Sequence, residues 1–175
     1  MRSPLLPFAL CCALSLALGP VSAFAQSEKN DSGDKDMAEL QHYTLTMAKV
    51  NAYAEIFGDL KALAKAHPEL KDKLAGDSAD SLSASEHRIA SQPQVVAVLL
   101  KHSFTPREFV VFGVALFQSA FAEATAKQNG IDPGKAAAEA HVNPANMTFV
   151  AQHKTELEAV MAKMKEASDK DSSDN

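Results

Sequence analysis

Tryptophan is absent from this sequence, and its only two cysteines, Cys11 and Cys12, are adjacent near the N-terminus. If that segment is removed, the remaining chain has no thiol. Disulfides, thiolate catalysis, thiolate metal sites and covalent c-type haem are then all excluded. Glycine is sparse, at seven residues, and no P-loop, dinucleotide-binding glycine set, G-x-S-x-G elbow or EF-hand loop occurs. No H-E-x-x-H is present, and no two histidines are three or four residues apart. Paired carboxylates for acid–base work are not evident, since Asp77 and Asp80 lie in a serine-rich connection that reads as capping. Excess charge is lacking too. The net charge is −5, and the basic residues of the last helical stretch alternate with Glu156, Glu158 and Glu166. The pI of about 5.6 leaves no phosphate-neutralising patch, so nucleic acid is not an expected partner.

What is present begins with a targeting pattern. Arg2 is the only charge in the first 25 residues, and Leu5 to Leu18 is dominated by Leu, Ala and Cys. Gly19-Pro20 and the small-x-small run Ala23-Phe24-Ala25 follow, which together read as a secretory signal peptide cleaved after Ala25. The apolar run is shorter than the roughly 20 residues of a membrane span. Leu10 before Cys11 does not fit the pattern for lipid acylation. Cleavage removes only Arg2 among the charged side chains and moves the net charge from −5 to −6. The expected product is a core-dependent domain in the periplasm or outside the cell, with no stable membrane span. Residues 26–38, beginning QSEKNDSGDKD, read as a disordered leader and residues 168–175 (SDKDSSDN) as a disordered tail around one domain at 39–167.

Five prolines organise that domain, each opening an amphipathic stretch: Pro68, Pro93, Pro106, Pro133 and Pro144. The spacing predicts helices at about 47–66, 68–75, 79–90, 93–101, 106–128, 133–140 and 144–167. Thr105 and Glu108 form a capping box, with Phe104 and Phe109 as its hydrophobic staple. Asn143 and Asp132 are further N-caps, and Thr46 caps the first long helix. Asn129-Gly130 is a stop signal. Only His42 to Thr46 alternates like a strand, too briefly to build a sheet. The predicted fold is all-α: a bundle of three long and several short helices around a central helix at about 106–128. Phe109 to Ala122 carries no charge and is expected to be buried on every face. Gly113, Ala115, Ser119 and Ala122 would let a neighbour approach it closely.

Chemistry could reside in few places. His67, His102 and His141 fall at helix C-termini, where an imidazole complements the dipole. His42 and His87 read as solvated. His153 lies on the apolar stripe between Val150 and Leu157, seven residues from Asn146, so the two could line one face near a pocket. Gln118 needs a partner if buried, since an unsatisfied amide costs about 1–3 kcal/mol, whereas Ser119 can bond back to the Ala115 carbonyl. His153, Asn146 and Gln118 are therefore the candidate ligand-binding residues, and His153 is a weak candidate metal ligand. No catalytic residue and no cofactor is assigned.

Leu45-Thr46-Met47-Ala48-Lys49-Val50, Ser103-Phe104-Thr105-Pro106-Arg107-Glu108-Phe109 and Val142-Asn143-Pro144-Ala145-Asn146 resemble segments of a group of small exported all-helical bacterial proteins of unknown function. The likeness spans about residues 40–165. Phe104 departs from it, standing where a smaller or leucine-like staple residue is expected. The resemblance implies export and a helical fold, and it carries no activity or catalytic residues. The function expected from the residues is non-enzymatic binding of a small apolar ligand or a protein partner. A histidine-based metal- or cofactor-binding bundle and an envelope chaperone are the alternatives.

Overall fold

The computed structural model describes residues 33–75 and 81–169. The segment expected to be a signal peptide, most of the expected leader, Asp77, Asp80 and the end of the expected tail lie outside the described residues. Within them the chain forms nine helices and no strand. These are α1 (33–42), α2 (Met47–Ala66), α3 (Leu70–Leu74), α4 (Leu82–Ala90), α5 (Pro93–Lys101), α6 (Pro106–Asn129), α7 (Pro133–Glu139), α8 (Pro144–Gln152) and α9 (Lys154–Asp169).

The starts and stops follow local chemistry. Thr105 accepts from the Glu108 N–H, Asp132 from that of Lys135, Asn143 from that of Ala145 and Thr46 from that of Lys49. Each such cap is worth about 1 kcal/mol. Phe104 and Phe109 meet edge to face with ring centroids 6.4 Å apart, which completes the staple. Gly130 ends α6 in the left-handed region at φ 63, where a residue without Cβ is unstrained. One part of the capping box does not form. The Glu108 carboxylate does not return to its own turn but takes Lys49 Nζ at 2.9 Å and the Tyr43 hydroxyl at 3.3 Å.

Three expectations are corrected. Residues 33–38, assigned to the leader, are helical, and so are 168–169 at the end of α9. The α1 segment has little apolar surface, so its composition resembles disorder, but its anchor is ionic. Arg107 on α6 binds Asp36 through Nη2 at 2.7 Å and Glu39 through Nε at 2.9 Å. It also reaches Ser83 on α4 at 3.3 Å, and Asp36 accepts from the Leu82 N–H at 3.1 Å. These bonds raise the guanidinium pKa further and hold α1, α4 and α6 together. Second, the single helix expected over 144–167 is two helices, α8 and α9, with His153 at the junction. Third, α6 is not buried on every face. Phe117 is 72% exposed and Phe121 66%.

That third difference follows from how the long helices pack. α6 rests against α4, α5, α7 and α8, whereas α2 lies along α9. The first and last long helices thus pair with each other, and α2 meets α6 mainly in its N-terminal half, through Lys49 and Tyr53. By length and composition α6 is the one described helix that could cross a membrane, and about two-fifths of its apolar window is buried within the fold.

Two buried clusters result. The larger joins Val50, Ile56, Leu99, Phe104, Phe112 and Leu157 from α2, α5, the α5–α6 connection, α6 and α9. Tyr53 stacks into it, with ring centroids 4.8 Å from Phe112 and 4.9 Å from Phe109. The smaller is alanine-rich, with Ala122, Ala126, Ala136 and Ala137 beside Val142 and Met147. Small side chains there let α7 and α8 approach the C-terminal half of α6.

Candidate functional site

The candidate residues chosen from the sequence do not converge. Asn146 is 1% exposed, and its bonds are internal. Its Oδ1 accepts from the Leu45 N–H at 2.9 Å, and its Nδ2 donates to the Tyr43 carbonyl at 2.9 Å. Asn143 donates to the same carbonyl at 3.0 Å. The two asparagines therefore tie the extended 43–46 connection to the start of α8. Asn146 is thus a structural clamp, with both ends of its amide used within the fold.

His153 occupies the α8–α9 junction. Its ring lies 4.7 Å from that of Phe149, and Nδ1 faces the Glu156 carboxylate one turn along α9. Gln118 is half-buried on α6 and makes no hydrogen bond among the described residues. Neither residue, nor Asn146, lines either of the two grooves that flank the C-terminal half of α6. Ser119 differs from expectation as well. Its buried Oγ has no partner among the described residues and does not bond back to Ala115.

Among the other histidines, His42 and His87 are exposed, as expected. His102 does more than cap α5. Its side chain is 10% exposed, with Nε2 2.8 Å from Asp59 and Nδ1 3.3 Å from Glu55, both on α2. Lys101 reaches the same Asp59 oxygen at 2.8 Å, and these two neighbours hold the Asp59 carboxyl below its usual range. The cluster fastens α5 to α2. Among the described residues no three His, Cys, Asp or Glu side chains gather as a metal site.

What the residues do build is a groove of about 600 Å³, walled by α2, α6 and α9. Tyr53 and Phe57 supply one wall, Leu116, Phe117 and Ala120 another, and Val160, Met161 and Met164 the third. Glu123, Lys127, Lys154 and Glu158 are the charged residues of its lining. Along α6 it extends from Gly113 to Gln128, about 22 Å of helix at 1.5 Å per residue. Three of the molecule's exposed large apolar side chains belong to it: Phe57, Phe117 and Met161.

Tyr53 is the one hydroxyl in the lining. Its ring is fixed among Phe57, Phe104, Phe109 and Phe112. Its oxygen lies over Gly113, so close that a Cβ there would sit 2.5 Å away. Among the described residues this hydroxyl has no hydrogen-bond partner. Burial pushes its pKa up to about 12, so it stays a neutral donor.

Tyr53 and Phe57 stand at helical spacing in the stretch predicted as the first long helix, Met161 and Met164 in the last, and Gly113 is a point of close approach. Nothing in one helix's periodicity shows that α2 pairs with α9 and leaves α6 partly uncovered. The charge-free stretch in α6 is the available signal, and lack of charge alone does not separate a buried face from an open apolar groove. No protein-family model, curated protein or solved structure matches the chain.

Proposed function

We propose that this protein is a non-enzymatic carrier or sensor that binds an elongated apolar molecule in the groove between α2, α6 and α9. The observation that carries this reading is that Phe57, Phe117 and Met161, all exposed, face one concave surface instead of being scattered. Soluble domains seldom leave such contiguous apolar surface without a use. The groove falls within the range of about 300–1,000 Å³ usual for small-molecule sites, and its largely apolar wall with one neutral hydroxyl fits their usual chemistry. The N-terminal pattern ending at Ala25 supports placing this activity in the periplasm or outside the cell. The likeness to small exported helical proteins agrees with that placement.

Titration with a fluorescent fatty acid, with oleic acid as competitor, tests the reading. Saturable binding of one probe per chain, displaced by oleic acid and weakened by Leu116→Asp, is the expected result. Absence of saturable binding by the folded protein overturns it.

A further inference from the structure

A second opening, of about 490 Å³, adjoins the C-terminal half of α6, walled by Ala126, Ile131, Pro133, Met147, Thr148, Ala151 and Gln152. It does not merely neighbour the first groove: Glu123 and Lys127 line both. These two residues stand one helical turn apart. Elsewhere in the fold comparable acid–base pairs close on each other, Lys135 with Glu139 at 3.9 Å and Lys154 with Glu158 at 3.7 Å. Among the described residues neither Glu123 nor Lys127 has any ion-pair partner. Among the described residues, one unpaired anion and one unpaired cation thus line both grooves.

We infer that the two grooves are one site for a two-chain amphiphile with a zwitterionic head, of the diacyl phosphatidylethanolamine class. One acyl chain lies in each groove, the phosphate faces Lys127 and the ammonium faces Glu123. The inference rests on the apolar-groove reading above and names its ligand class. Charge decides the choice. An anionic single-chain ligand would satisfy Lys127 while its carboxylate faced Glu123, whereas a zwitterion satisfies both. Length agrees. Half of a bilayer's hydrocarbon core is about 15 Å thick, which an extended chain spans and the longer groove accommodates.

Native mass spectrometry of the protein with detergent-dispersed dioleoyl phosphatidylethanolamine, dioleoyl phosphatidylglycerol and oleic acid separates the possibilities. The expected result is one phosphatidylethanolamine per chain, bound at least about fivefold more tightly than phosphatidylglycerol, whose head lacks the ammonium. Ala151→Trp, which fills the second groove from an exposed position on α8, weakens phosphatidylethanolamine by about tenfold and leaves oleic acid within about twofold. Lys127→Ala and Glu123→Ala each weaken the diacyl lipid. If oleic acid binds but phosphatidylethanolamine does not, or if Ala151→Trp leaves the diacyl lipid unaffected, the two-groove site is overturned while the single groove survives. Equal or tighter binding of phosphatidylglycerol overturns the zwitterion assignment. If no lipid binds, the groove reading itself fails.

Discussion

Tyr53 on α2 rests against Gly113 on α6 at the base of the groove, and substituting them in combination measures how tightly the two are packed. Replacing glycine by alanine inside a helix normally stabilises by about 1 kcal/mol. At Gly113 the new Cβ would meet Tyr53 Oη at 2.5 Å and Cζ at 3.3 Å. The tyrosine ring is wedged among phenylalanines and cannot swing away freely, so overpacking of about 1–3 kcal/mol opposes the gain. Gly113→Ala should therefore be neutral to destabilising by up to about 2 kcal/mol. Tyr53→Phe alone should be nearly neutral, because the lost hydroxyl has no partner among the described residues. In that background Gly113→Ala should become stabilising. The two changes thus couple by about 1–3 kcal/mol, read from urea unfolding of the four proteins at constant m-value. If Gly113→Ala stabilises equally with either residue at position 53, Tyr53 does not rest on Gly113 and the groove floor is wrongly drawn.

Other outcomes follow from the same geometry. Asn146→Ala leaves the buried Leu45 N–H unpaired and should cost about 2–3 kcal/mol in urea unfolding, whereas His153→Ala should cost less than about 1 kcal/mol. Ser119→Ala removes a buried hydroxyl that has no partner among the described residues and should stabilise by about 1 kcal/mol in urea unfolding; a loss would reveal a bond that the described residues do not show. Burial raises the pKa of both tyrosines, Tyr53 to about 12 and Tyr43 further with the help of Glu108. The fold favours the neutral phenols, so their contribution is complete below the ordinary value of about 10 and is lost as pH rises through the folded values. Phenolate absorbance should therefore show no step near pH 10 in the folded protein, and a reversible one-tyrosine step there would contradict the burial of both rings.

Helix existence was legible because it depends on local chemistry. The prolines, Thr105, Asp132, Asn143 and the Asn129-Gly130 stop each act within a turn or two of their own position. What was not legible depended on partners far along the chain. α1 is stabilised by Arg107, some seventy residues away, and its own composition gives no hint of this. Asn146 reads from the sequence as a candidate ligand group, because its actual partners in the 43–46 connection are a hundred residues distant. The break at His153 was hidden because the apolar stripe continues through it. The groove was hidden because a charge-free helix reads the same whether its neighbours cover it or leave one side open.

The most direct test of the central claim is binding of a fluorescent fatty acid to the native protein and to Ala120→Trp, which places an indole in the middle of the groove. With helical circular dichroism unchanged, the groove reading predicts saturable one-to-one binding that Ala120→Trp reduces by about tenfold or more. Unaltered affinity in a folded Ala120→Trp protein would contradict it.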